Sequence, residues 1–70
     1  MSGVRYQVLA KTNSKEYVVH VGVRLERSAK RIAKDELKKN DVMSTQVVKL
    51  TNGVKVKREL VIEFDKGKDE

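Results

Sequence analysis

The chain is short, basic and free of cysteine. Its 70 residues contain 16 Lys and Arg against 10 Asp and Glu, which gives a net charge of +6 and a pI near 9.8. The absence of cysteine excludes disulfides and thiolate metal sites. The longest apolar runs, such as residues 17–19, are too short for a membrane span or a secretory signal. We therefore expect one soluble, cytoplasmic domain over residues 1–70, with an ordered core over 4–64 and a flexible tail over 65–70.

The first predicted element is a hairpin of two strands, because apolar and polar residues alternate over 4–11 and over 16–23. The polar cluster between the two runs predicts a two-residue loop at Asn13-Ser14. In that register every inward residue faces another inward residue. The expected pairs are Lys11 with Glu16, Ala10 with Tyr17, Leu9 with Val18, Val8 with Val19, and Tyr6 with Val21.

A helix is predicted over residues 24–39, where apolar residues recur at helical spacing. Glu36 interrupts this apolar stripe near its middle, so we expect the last turn to bend or unwind. Asn40-Asp41 supplies a left-handed stop for the helix. The apolar stripe consists of Leu25, Ala29, Ile32, Ala33 and Leu37.

The opposite side of this helix is a cationic face that covers roughly a third of the circumference. Within it Arg27 and Arg31 are like-charged neighbours one turn apart, and so are Lys34 and Lys38. Each such pair destabilises an isolated helix by a few tenths of a kcal/mol. Charge kept at this cost favours a polyanion as the ligand of this face; the alternative is a solvated helix face that keeps a small protein soluble. The cationic face consists of Arg27, Lys30, Arg31, Lys34 and Lys38.

A second hairpin is predicted after the helix. A two-residue Asn52-Gly53 loop would pair apolar residues with lysines, whereas a three-residue loop over 51–53 pairs Leu50 with Val54 and Val48 with Val56. We therefore predict the longer loop, with Gly53 in the left-handed conformation of a bulge. The outward side of this hairpin then carries a second basic patch, which consists of Lys49, Lys55 and Lys57.

The element order predicts an α+β domain of ββαββ type, in which one helix packs on one face of a four-stranded sheet. A helix that joins the second strand to the third favours a right-handed parallel crossover, so we expect a mixed sheet. The other face of the sheet is then open, and its aliphatic side chains form a candidate self-association face for a homodimer. This candidate face consists of Leu9, Val18, Val47 and Val61.

Catalytic residues, cofactor sites and metal sites are not predicted. The sole histidine, His20, is expected to point outward without a nearby arrangement of carboxylates, and the serines lie in no nucleophile motif. The four glycines are scattered along the chain, so no phosphate-binding loop is indicated. We expect a protein that is not an enzyme and uses no cofactor.

Two functions remain open for a basic domain of this kind. Tyr6, Tyr17 and Phe64 fall at inward positions, which disfavours stacking on single strands. The first function is therefore binding to the phosphates of duplex DNA or structured RNA through the cationic face. The second is that of a small phage- or plasmid-type accessory protein, which modulates a larger acidic protein through the open sheet face or an edge strand. We favour the first. Of the two basic surfaces, which are expected on opposite sides of the domain, we favour the helix because its charges are denser and their mutual repulsion is otherwise unexplained.

Overall fold

The computed structural model describes residues 3–53 and 55–66, which form four strands and one helix. The α+β fold of ββαββ type is confirmed. No helix within those ranges has the length and apolar character needed to cross a membrane. Of the expected tail, residue 65 ends the last strand, and residues 67–70 lie outside the described part. The elements follow in the order β1 Gly3–Thr12, β2 Glu16–Val23, α1 Glu26–Leu37, β3 Val42–Asn52 and β4 Lys57–Asp65.

The sheet has the strand order β2-β1-β3-β4, and each pair of neighbours runs antiparallel. The expected mixed sheet is therefore wrong. Since β2 and β3 are both antiparallel to β1, they run in the same direction, as a helical crossover favours. The crossover fixes their relative direction but leaves room for a strand between them, and β1 occupies that place.

The first hairpin has the expected register next to its turn. The N–H of Thr12 donates to the Lys15 carbonyl oxygen at 2.8 Å. The Thr12 Oγ1 accepts hydrogen bonds from the N–H groups of Ser14 and Lys15 at 3.3 and 3.1 Å, so one side chain fixes the two-residue loop. The confirmed pairs are Lys11 with Glu16, Ala10 with Tyr17, and Leu9 with Val18.

Farther from the turn, the first hairpin departs from the expected register because β2 contains two bulges with one extra residue each. Gly22, at the second bulge, has a φ of 76°, which glycine adopts without strain. Two single-residue shifts restore the original face of the strand, so the last residue of β2 is buried again. The pairs found are Val8 with His20 and Tyr6 with Val23, and the expected partners Val19 and Val21 are wrong.

The second hairpin is displaced by four residues from the expected register. Leu50 pairs with Arg58 rather than Val54. Gly53 does not have the left-handed conformation that the three-residue loop requires, so that loop is also wrong. The observed register sets the apolar end of β4 against the most buried part of β3, with Ile62 opposite Val47. Packing beneath the helix therefore prevails over the local turn signal. By the same displacement, Val48 pairs with Leu60 rather than Val56.

The two faces of β3 are the reverse of those expected. Val47 pairs with Val8 and is fully buried on the helix side of the sheet. Val48 therefore points to the uncovered face, where it is 6% exposed. β3 is an interior strand, flanked by β1 and β4, so its residues are shielded on both faces and their apolar pattern does not reveal which face the helix covers.

The core lies between α1 and the sheet. Ala29 and Ala33 are fully buried, and their small side chains let the helix approach the strands closely. The Thr45 Oγ1 donates a hydrogen bond of 3.1 Å to the Ala33 carbonyl oxygen and so joins β3 to the helix. The core cluster consists of Tyr6, Val8, Val23, Ala29, Ala33 and Val47.

Glu36, the acidic residue within the apolar stripe, has a partner on β2. The Tyr17 hydroxyl donates a hydrogen bond of 2.6 Å to Glu36 Oε2, and Lys39 Nζ lies 3.2 Å from the same oxygen. The hydrogen bond, with burial and the negative charges of Glu36 and Asp41, raises the pKa of Tyr17 to about 12. The helix can therefore keep its last turn with a carboxylate on its inner side.

The ends of α1 differ from those expected. Leu25 caps the N-terminus and is 53% exposed, so it does not belong to the buried stripe. The helix remains regular to Leu37, and the expected unwinding is wrong. The left-handed stop at Asn40-Asp41 is also wrong, because the described residues include no non-glycine residue with positive φ. Beyond the helix end, Lys66 Nζ donates a hydrogen bond of 2.6 Å to the Lys39 carbonyl oxygen.

Candidate nucleic-acid interface

The cationic face of α1 points away from the sheet, because Ala29 and Ala33 on the opposite side of the helix are buried against it. Four of its five residues are exposed, and Lys30 is partly buried. The helix contains 12 residues and is about 18 Å long. The cationic face is therefore a straight stripe of positive charge about three turns in length.

The three lysines of the cationic face have partners. Lys30 Nζ lies 2.9 Å from Glu26 Oε2, and Lys38 Nζ lies 3.8 Å from Asp35 Oδ1. Lys34 Nζ lies 5.5 Å from the centre of the Phe64 ring on β4. Exposed ion pairs of this kind contribute at most about 1 kcal/mol each, so a phosphate can replace the carboxylate at small cost.

Arg27 and Arg31 differ from these lysines, because neither forms an ion pair with any residue that the structure describes. The two side chains are exposed and lie one helical turn apart. A guanidinium group presents a planar fork of N–H donors that matches two oxygens of a phosphate. These two arginines are thus the members of the cationic face that are most available to an external anion.

The second basic patch lies on a different side from the one expected. Lys49 pairs with Tyr6, and Lys57 pairs with Thr51, so both lysines belong to the helix side of the sheet. Glu59 lies opposite Lys49 and offsets part of its charge. Lys55 is exposed in the connection between β3 and β4. The expectation that this patch faces away from the helix is therefore wrong for the two lysines on strands. The error arises because the two faces of β3 are the reverse of those expected.

The cationic face and the second basic patch consequently share one side of the domain. The helix begins three residues after Val23, which pairs with Tyr6 in the same row as Lys49. Arg27, in the first turn, is therefore at the end of the helix that follows the Lys49 end of the sheet. Lys57 lies about 7 Å farther along the sheet than Lys49. Both groups of cations therefore belong to the helix side of the sheet.

The candidate self-association face is only partly formed. Val18, 49% exposed, and the half-buried Leu9 lie opposite each other on the uncovered face of the sheet. Val47 is wrong as a surface residue because it is fully buried beneath the helix, and Val61 packs against the core cluster. The uncovered face gains three aliphatic residues that the sequence placed elsewhere or did not identify: Val48, Leu50 and Leu60.

The uncovered face carries a shallow depression of about 320 Å³. The residues that the structure describes include no group of three or more His, Asp or Glu that could hold a metal ion. His20, the sole histidine, is exposed. The depression offers a carboxylate, a guanidinium and apolar surface. Its lining consists of Leu9, Glu16, Tyr17, Val18, Gln46 and Arg58.

Comparison with known proteins identifies no relative. No family model, curated protein or solved structure matches this chain. Inference about function therefore depends on the charges, exposure and facing of its own residues.

Proposed function

We propose that this protein binds nucleic acid and contacts the phosphates of duplex DNA or structured RNA through the cationic face of α1. The observation that carries the proposal is the pair of exposed arginines, Arg27 and Arg31, which have no ion pair with any described residue. Lys49 and Lys57 add positive charge on the same side of the domain. A polyanion with phosphates spaced along its length is a ligand that suits such a surface.

The aromatic residues support a duplex rather than a single strand. Single-strand binders stack bases on exposed rings. Here Tyr6 is 9% exposed, Lys15 Nζ lies 5.7 Å from the centre of the Tyr17 ring, and Lys34 lies over Phe64. None of the three rings offers a free stacking platform. Phosphate contacts by lysine and arginine then supply the affinity, with little discrimination between base sequences.

An acidic protein partner on the uncovered face is less well supported. The charged residues there are balanced, because three cations accompany three carboxylates. An acidic surface would meet repulsion as well as attraction at such a face. The six residues are Arg5, Lys11, Arg58, Glu16, Glu63 and Asp65.

The proposal is tested by titrating labelled duplex DNA and hairpin RNA with the protein at about 50 and about 200 mM salt. With about five phosphate contacts, the logarithm of the binding constant falls with the logarithm of salt concentration at a slope of about −4 to −5. We expect Arg27→Gln/Arg31→Gln to weaken binding at least tenfold at low salt and to reduce the slope by about 2. Fluorescence anisotropy measures both quantities.

The matched control is Lys11→Gln/Lys15→Gln, which removes the same charge from the first hairpin, at two exposed positions distant from the helix N-terminus. We expect this control to bind nearly as well as the unchanged protein. The proposal fails if the unchanged protein binds neither duplex at low salt, or if the control and the arginine variant lose the same affinity. Val18→Lys distinguishes the alternative, because only a partner on the uncovered face would be lost with it.

A further inference from the structure

The uncovered face of the sheet has an apolar centre. Val48 lies in the middle of this face and is 6% exposed, because the strands on either side shield it. Beside it on β4, Leu60 is 58% exposed, and Val18 on the opposite edge strand is 49% exposed. Half-buried leucines on β1 and β3 extend the apolar surface. The open apolar group consists of Leu9, Val18, Val48, Leu50 and Leu60.

Opposite charges lie on the two sides of this apolar centre along β4. Arg58 pairs with Leu50, two residues from Val48 in one direction. Glu63 pairs with Gln46, two residues from Val48 in the other direction. The backbone positions of Arg58 and Glu63 therefore lie about 7 Å on either side of the row of Val48 and Leu60, measured along the strands. Both side chains are exposed, and neither forms an ion pair within the described part of the chain.

We propose that a second copy of this chain packs on the uncovered face, about a twofold axis that crosses the strands at the row of Val48 and Leu60. Such an axis turns the strands of one protomer antiparallel to those of its partner. Arg58 then lies opposite the partner's Glu63, and the same contact occurs twice because the interface is isologous. Leu60 meets the partner's Leu60 at the axis, where the apolar area is removed from water.

The charge order selects a second copy over an unrelated partner. On β4 a cation and a carboxylate lie two rows on either side of the apolar centre, so this strand is complementary to itself after a twofold rotation. The core of a 70-residue chain is small, and α1 covers only one side of the sheet, so the second side gains from being covered. The cationic face of each protomer remains outward, so this dimer does not depend on the proposed function.

The interface is small, which sets the expected strength of the dimer. Four strands about 4.8 Å apart, over about 20 Å of length, give a projected area of about 400 Å² on each protomer. A stable complex commonly buries about 800 Å² per partner. The dimer is therefore expected to exchange with monomer and to form at high protein concentration.

The test is sedimentation equilibrium of the whole chain at concentrations up to about 1 mM, with exchange of the two charges. We expect Arg58→Glu and Glu63→Arg each to weaken association at least tenfold. The double variant Arg58→Glu/Glu63→Arg recreates the pair with its signs exchanged, and we expect it to recover association to within about threefold of the unchanged protein. Circular dichroism of each variant checks that the fold is retained, which the exposure of both side chains favours.

Three results would overturn the proposal: an unchanged protein that stays monomeric at the highest concentration, single variants that associate normally, or a double variant that fails to recover. A second measurement does not depend on any variant. Concentration-dependent amide shifts in NMR spectra are expected at Val48 and Leu60 and not at Arg27 and Arg31. Shifts confined to the helix would show that the protein associates through the helix and not through the uncovered face, which would reject the proposed interface.

Discussion

The two faces of the sheet are both buried at their centres, but by different means. Val47 is fully buried because α1 lies over it, whereas Val48 is 6% exposed although no helix within residues 3–53 and 55–66 covers its face. Val48 lies between two neighbouring strands, with Gln7 of β1 and Leu60 of β4 as its partners in the sheet. An interior strand can therefore bury both of its faces with only one layer above the sheet. The covered face is closed by packing between layers, and the uncovered face by contacts within one layer.

The largest expected effect on stability comes from placing a large side chain in the packed contact between α1 and the sheet rather than on the exposed side of the helix. Ala33→Leu inserts a large side chain where α1 meets the sheet and the native residue is 0% exposed. We expect the free energy of unfolding to fall by about 3 kcal/mol, because the helix must move away from the strands. Urea denaturation measures the loss. Arg31→Leu introduces the same side chain on the exposed side of the helix, and a comparable loss there would contradict this explanation.

Adjacent valines on β3 provide the second comparison. We expect Val47→Ala to lower the free energy of unfolding by about 2 kcal/mol, because the cavity beneath the helix cannot collapse. Val48→Ala should cost about 1 kcal/mol in dilute protein, since water and neighbouring side chains can fill the space. Equal losses would indicate that the uncovered face is covered even at low concentration.

Thr45→Val tests the polar contact between the helix and the covered face. It keeps the shape of the side chain but removes the hydrogen bond to the Ala33 carbonyl oxygen, so we expect a loss of about 1 kcal/mol. The control is Thr51→Val, a half-buried position on the same strand. Thermal unfolding of the two variants should differ, and equal midpoints would show that the hydrogen bond contributes nothing.

The smallest effect concerns Tyr17, whose hydroxyl joins β2 to the helix. Its pKa in the folded protein, about 12, lies above the ordinary value of 10.0. The stabilisation from this hydrogen bond is therefore fully present below pH 10 and is lost as the pH rises through 12. Tyr17→Phe should be less stable than the unchanged protein at neutral pH, and the difference should disappear above pH 12.

The pKa of Tyr17 can be measured directly by tyrosinate absorbance in the Tyr6→Phe variant, where Tyr17 is the only tyrosine. We expect a midpoint near 12. Adding Glu36→Gln removes the negative charge beside the hydroxyl and should move the midpoint toward 10.0. A titration midpoint that does not change with this substitution would show that the carboxylate is not the cause of the raised pKa.

Local signals in the sequence predicted the parts of the fold that local interactions determine. The first turn was predicted from its polar cluster, and its hydrogen bonds to Thr12 are indeed local. The cationic face was predicted because helical spacing alone places its residues together. The second hairpin was mispredicted since its register depends on β4 packing beneath a helix that is distant in the chain. The side of the sheet on which Lys49 and Lys57 lie was mispredicted, because it depends on which face of β3 the helix covers. The apolar pattern of β3 does not reveal that face. The hydrogen bond that Glu36 accepts was not predicted, because its donor, Tyr17, lies 19 residues away in the chain.

The position of β1 between β2 and β3 has a consequence for how the chain folds. Gly3 pairs with Asn52 at one end of the β1 and β3 ladder, and Thr12 pairs with Val42 at the other, so the central pairing joins distant parts of the chain. Each hairpin can form from local contacts, but the central pairing must first overcome the entropy of closing a long loop. That one pairing step completes both faces of the sheet and brings the cationic face and the second basic patch to the same side. Cooperative folding therefore depends on the meeting of the two hairpins.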